Sequence, residues 1–148
     1  MCGPYGLWKD PVSLKEEWEK VAKDIRAYDV HIYFEPGTLQ GFEARQLAEG
    51  LRAAFPDDTS KAYDVPVTGP HTKPNVEVVI DKKALGEVMQ FLQMHREGLS
   101  VLVHPRTGDE EEDHLRSALW LGEPVPMSEP FFAQWRAQQQ KNPPPKHG

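Results

Sequence analysis

Between Tyr28 and His104 the hydrophobic pattern switches repeatedly between a period of two and a period of 3.6, and this alternation limits the available folds more than any other feature. Tyr28–Phe34 (YDVHIYF) is dense in aromatic and β-branched residues and stops at Glu35-Pro36-Gly37, which marks a strand. A helix capped by Thr38 follows over about 39–55, with Leu39, Phe42, Leu47, Leu51 and Phe55 as its apolar set. Tyr63–Val67 reads as a short strand, and its Pro66 suits a sheet edge because proline has no N–H to share with a neighbour. After a turn-rich link, Asn75–Ile80 is a strand, 82–96 a helix stopped by Gly98, and Leu99–His104 a strand closed by Pro105. The order strand, helix, strand, strand, helix, strand predicts an α+β, ferredoxin-like βαββαβ sandwich. In that fold four antiparallel strands carry both helices on one face, the first and third strands are central, and the fourth lies beside the first.

This core spans 28–105. Residues 1–27 read as an arm and a helix over about 14–26, opened by a Ser13–Glu16 capping box, whose stripe of Leu14, Trp18, Val21 and Ile25 is expected to pack on the rest. Residues 106–148 read as an extension with a helix at about 129–140 and a frayed NPPPKHG tail. At 148 residues the whole fits one domain.

Strand residues alternate between faces, so the apolar sets fix where the polar ones go. Val30, Ile32 and Phe34 must face the helices, as must Val76, Val78 and Ile80, and Leu99, Val101 and Val103. The opposite face then gathers Asp29, His31, Tyr33, Asn75, Glu77, Ser100, Leu102 and His104 from three neighbouring strands. Two histidines and a carboxylate on adjoining strands match the ligand set of non-haem Fe(II) oxygen enzymes, and zinc or manganese accepts similar donors. The same residues equally describe the solvated or dimer-covered face that antiparallel sheets commonly have. His71, in the loop entering the third strand, and His114, after the acidic run Asp109–Asp113, read on spacing as loop histidines that could overhang this face. The acidic run itself reads as a solvated loop. His95, near the end of its helix, suits the C-terminal dipole, and His147 lies in the tail.

Composition narrows the function by exclusion. The single cysteine, Cys2, forms no internal disulfide or thiolate cage, so any metal falls to imidazole and carboxylate, and a cytoplasmic location is expected. The net charge of −6, with no basic block, argues against nucleic acid, and Glu77 on the sheet face opposes RNA binding by exposed strand aromatics. No apolar run reaches membrane-spanning length. Neither a nucleotide-binding glycine loop nor a nucleophile motif appears.

Three segments in order, YDVHIYF, GPHTKPNVEV and GLSVLVHPRTGDEEEDHLRSALWLGEPVP, resemble the DOPA 4,5-dioxygenase family over about Tyr28–Met127. The resemblance implies an extradiol-type dioxygenase that opens the ring of a catechol such as L-DOPA with O2. It implies non-haem Fe(II) and a homodimeric α+β barrel, with the family's histidines falling on His31, His71, His104 and His114. On that basis His31 and His104, with Glu77 or a third histidine, are expected to hold the metal. His71 or His114 would serve as acid and base, and Tyr33 as a hydrogen-bond donor to oxygen. The chain departs from the family pattern at Ser117 and Asp29, where the family carries histidine at the first position and sometimes at the second. Those departures favour a competing expectation, a non-catalytic homodimer holding a small aromatic ligand on the same fold.

Overall fold

A computed structural model describes residues 9–21 and 24–142. Cys2, His147 and the tail ending lie outside the described residues. The elements are α1 (Pro11–Val21), β1 (Ala27–Tyr33), α2 (Gln40–Ala54), β2 (Tyr63–Val65), β3 (Asn75–Asp81), a 3-10 turn (Lys82–Ala84), α3 (Leu85–His95), β4 (Val101–Pro105), α4 (Glu110–His114), β5 (Leu119–Leu121) and α5 (Glu129–Lys141).

The sheet runs β2-β3-β1-β4-β5 and every pairing is antiparallel. The first and third strands are central and the fourth lies beside the first, as the sequence order predicts. One strand is added: β5 pairs with β4, Val101 opposite Leu121 and Val103 opposite Leu119. Its three residues are too few to show a period, so the sequence places them only within an extension. β2 ends before Pro66, and it forms the opposite edge of the sheet.

One face of the sheet carries the main core. Val30, Ile32, Val76, Val78, Ile80, Val101 and Val103 pack against Ala44, Leu47, Ala48 and Leu51 of α2 and Val88 and Leu92 of α3, all buried. Leu39 and Phe42, expected in the helix's apolar set, are exposed instead. The cap position of α2 falls on Leu39 rather than Thr38 and has no side-chain cap, while Thr38, one residue outside it, accepts from the Gln40 N–H through Oγ1 at 3.2 Å.

Two expectations fail. The first helix begins at Pro11 and is capped by Asp10, whose Oδ1 accepts from the Val12 and Ser13 backbone N–H groups at 3.1 and 3.0 Å. A carboxylate before a proline at the first helical position displaces the Ser13–Glu16 box. The helix also buries none of its residues, so Leu14, Trp18 and Val21 face outward rather than packing on the core. The acidic run, read as a solvated loop, folds into α4. Asp109 caps it by accepting from the Glu112 N–H, and Asp113 turns inward to take hydrogen bonds from the Thr107 N–H and hydroxyl at 2.9 and 2.5 Å. Among the described residues no helix is long and apolar enough to cross a membrane.

Candidate active site

The other face of the sheet holds the polar residues, and pairing register assembles them. Asp29 lies opposite His104, His31 opposite Glu77 and Leu102, and Tyr33 opposite Asn75. The chain after β4 folds back across this face, with Leu102, Tyr33 and Val125 buried against Ala118, Trp120 and Met127. The loop before β3 is tied to the same segment: His71 bridges Met127, the Ser128 N–H donates to Pro70 O at 2.8 Å, and Thr72 Oγ1 donates to Pro126 O. That anchoring sets His71 over the face, and α4 brings His114 over it from the other side. The result is a cavity of about 440 Å³ lined by residues that include Asp29, His31, His71, Glu77, His104 and His114.

All four histidines are buried. His31 stacks on His104 with ring centroids 5.2 Å apart, His71 lies 4.4 Å from His31, and His114 lies 4.1 Å from His104. Hydrogen bonds decide which nitrogen of each carries the proton. His31 Nδ1 faces Asn75 Oδ1 at 2.9 Å, and the amide's orientation follows from its Nδ2 donating to Lys73 O. His104 Nδ1 faces Pro105 O at 2.9 Å, and His114 Nδ1 faces Glu110 O at 2.7 Å. A carbonyl oxygen only accepts, so each Nδ1 donates and each Nε2 presents a bare lone pair.

Two of those nitrogens lie close together, His31 Nε2 and His104 Nε2 being 3.2 Å apart. Burial, reinforced by the neighbouring histidines, holds the His31 pKa well below its ordinary value and lowers His104 to about 4, so neither ring offers a proton to bridge the gap near neutrality. Two bare nitrogens this close could hold a cation between them. Two nitrogens each about 2.1 Å from one ion would subtend an angle of about 100°, within tetrahedral or octahedral geometry. Asp29 Oδ2 stands 3.6 Å from His104 Nε2 and 4.0 Å from His31 Nε2, while its Oδ1 is buried and receives no hydrogen bond. Burial and the nearby Glu77 raise Asp29 to about 7. This donor set fits a divalent metal.

Among the described residues two trios bring donor atoms within 4.8 Å of one another: Asp29, His31 and His104, and His31, His71 and His114. They share His31, whose Nδ1 is already committed to Asn75. One lone pair serves one ion, so the trios describe a single site.

His71 differs from the rest. Its Nδ1 lies 2.7 Å from the Tyr33 hydroxyl. Burial pushes the Tyr33 pKa upward, so the phenol keeps its proton and donates it to Nδ1, and His71 then presents Nε2–H to the cavity. Burial and His114 lower His71 to about 4. Tyr33 is fully engaged beneath His71, with Trp120 stacked on it at 5.7 Å, and its hydroxyl is spent on the histidine rather than offered to oxygen.

The expected site residues therefore converge: His31, Tyr33, His71, Glu77, His104 and His114 all border one cavity or its floor. Glu77 Oε2 reaches to 3.6 Å from His31 Nε2, but Asp29 approaches both facing histidines. The sequence placed Asp29 on this face without a role, and its register opposite His104 was the available signal. Asn75 was missed in the same way. Ser117 is exposed and does not line the cavity, so that departure removes no donor. His95 stands apart, its ring 4.7 Å from Phe91 on the helical side.

Fold and site together define an α+β protein with a buried cluster of histidines and a carboxylate that could hold a metal ion. The chain belongs to the Dopa 4,5-dioxygenase family, whose model matches residues 28–130. It is similar to an uncharacterised 21.2 kDa protein of Botryotinia fuckeliana, 37% identical over 111 residues that make up 68% of this chain and 60% of that protein. It is also similar to a DOPA 4,5-dioxygenase of Amanita muscaria, 29% identical over 111 residues, 71% of this chain and 49% of that one. The chain thus spans about half to three-fifths of the length of these curated relatives. A crystal structure of a provisionally assigned dioxygenase from Nostoc punctiforme matches with a TM-score of 0.59 at 30% identity, covering 77% of this chain and 96% of that one.

Proposed function

We propose that this protein is a metal-dependent, extradiol-type dioxygenase that opens the ring of a catechol such as L-DOPA with O2. The observation that carries the reading is the pair of bare nitrogens of His31 and His104 facing each other at 3.2 Å beside the Asp29 carboxylate. Family membership and the likeness to a DOPA 4,5-dioxygenase support the reaction class. The strand order β2-β3-β1-β4 supports reading the core as ferredoxin-like.

His31, His104 and Asp29 would hold the ion, with His114 Nε2 as a further donor and Glu77 at the rim. Fe(II) in this site would acidify both catechol hydroxyls and supply the redox contact between ring and O2. The protein's own groups manage the protons. Asp29 stays charged as a ligand, its Oδ1 beside the Arg106 guanidinium, and Glu77, at the rim and not held to the ion, is placed to take a hydroxyl proton. His71 Nε2–H faces the cavity and is placed to donate a hydrogen bond to an oxygen that gains charge there, while Tyr33 fixes that tautomer. Overall, one ring C–C bond breaks beside the hydroxyl pair and both atoms of O2 enter the product. Behind the polar lining, Phe132 packs 6.3 Å from His114, and Leu102 and Trp120 pack with Tyr33, so apolar residues back the site. A homodimer forms part of this proposal, supported by the uncovered Leu14, Trp18 and Val21 of α1, and sedimentation measures it directly.

The test is anaerobic loading with Fe(II), followed by oxygen uptake and visible absorbance with L-DOPA. The expected result is one O2 consumed per catechol and a new visible band from the ring-opened product. Oxygen consumption without such a product, or no consumption by the iron-loaded protein, would overturn the reading.

A further inference from the structure

We propose that Arg106 is a specificity-determining residue, whose guanidinium receives the carboxylate of a catechol bearing an acidic side chain. This deepens the ring-cleavage reading and rests on it. Arg106 directly follows β4, and its backbone N–H donates to Ala27 O at 3.1 Å, so the root of the side chain is fixed to the sheet beside Asp29 and His104. The side chain is about half exposed at the cavity mouth. Among the described residues lining the cavity it is the one arginine, and the lining holds no lysine.

The guanidinium has five N–H donors in a planar fork that matches a carboxylate. Among the described residues it makes one ion-pair contact, Nε to Asp29 Oδ1 at 3.5 Å, and no side-chain hydrogen bond. Asp29 turns its other oxygen to His104 Nε2 at 3.6 Å. The guanidinium is therefore one carboxylate away from the donor cluster. A catechol held by its hydroxyls at the histidines brings its substituent to Arg106. Elsewhere the mouth offers Glu77 and Glu110, and the chain carries a net charge of −6, so an anionic substituent is disfavoured everywhere except at this guanidinium.

Arg106 as a mere counter-ion of Asp29 predicts a different outcome, an equal effect on every catechol. The discriminating experiment uses zinc-loaded protein, which is redox-silent and does not turn over, with binding of catechol, 3,4-dihydroxyphenylacetate and dopamine measured by calorimetry. The wild type is expected to bind 3,4-dihydroxyphenylacetate about tenfold more tightly than catechol, which corresponds to about 1.4 kcal/mol, and dopamine no better than catechol. Arg106→Gln keeps donors near Asp29 without the charge. It should erase the carboxylate preference while leaving catechol affinity within about twofold, and Arg106→Lys should keep part of the preference. Equal binding of catechol and its carboxylate by the wild type, or an equal loss for both in Arg106→Gln, would overturn the assignment. Failure of every catechol to bind would overturn the ring-cleavage reading, and this inference with it.

Discussion

Replacing Asn75 with alanine should separate the metal site from the fold. Asn75 is 1% exposed, and its Oδ1 accepts from His31 Nδ1 at 2.9 Å, which keeps His31 Nε2 bare. Without that acceptor, the His31 proton can move to Nε2, where the lone pair of His104 Nε2 waits 3.2 Å away. The swap exchanges one buried hydrogen bond for another, so the metal-free variant should lose only about 1–2 kcal/mol, mostly from the space vacated. Metal binding must then expel the new bridging proton and hold an unsupported ring. Outer partners of ligating histidines are typically worth about 10- to 100-fold in affinity, and that is the expected loss here. Competition against a chromophoric zinc chelator measures the affinity, and urea melts of metal-free protein measure the fold. Unchanged zinc affinity in a folded Asn75→Ala variant would refute the tautomer argument.

Acidification should release metal through Asp29 before the histidines. Bound metal needs a charged carboxylate and neutral imidazoles. Asp29 titrates at about 7, while His71 and His104 are lowered to about 4, so affinity should fall by up to about tenfold per pH unit below about 7. In metal-free protein the lowered histidine values contribute stability that is present above the ordinary 6.5 and lost as pH falls through about 4. The raised Asp29 value works the other way, its contribution being present below 3.8 and lost as pH rises through about 7. Chelator competition across this range, repeated with Asp29→Asn, should show the steep dependence in the wild type alone. His71→Ala should retain one metal per chain yet lower the ring-opening rate by about 10²- to 10⁴-fold, read by metal analysis beside oxygen uptake. Leu51→Ala, at a fully buried core position remote from the cavity, should cost about 2–5 kcal/mol in urea melts without altering metal stoichiometry. Ser128→Ala removes the acceptor for the Phe131 N–H at the start of α5 and should cost about 1 kcal/mol in the same melts.

Strand phase made half of this site legible. A period of two, with one face committed to α2 and α3, leaves Asp29, His31, Tyr33, Glu77 and His104 nowhere to go but the opposite face, and antiparallel register brings them opposite one another. His71 and His114 lie off the strands, so periodicity says nothing about their direction. Their positions come from long-range ties, the bridge to Met127 and the fold of α4, that no local pattern encodes. Elements of three and five residues, such as β5 and α4, are shorter than any reliable period. The role of Asn75 was hidden for another reason: strand phase gives a face, whereas a tautomer depends on which atom of a neighbour points inward. The outward stripe of α1 is the opposite case, a clear helical period that tertiary packing among the described residues does not use.

The most direct test of the central claim is a count of metal ions. Metal-free protein titrated anaerobically with Fe(II), and separately with Zn(II), should bind one ion per chain through nitrogen and oxygen donors, and His31→Ala should bind none, because both donor trios pass through His31. Absence of binding by the wild type, or full binding by folded His31→Ala, would contradict the claim that the facing His31 and His104 nitrogens enclose a cation.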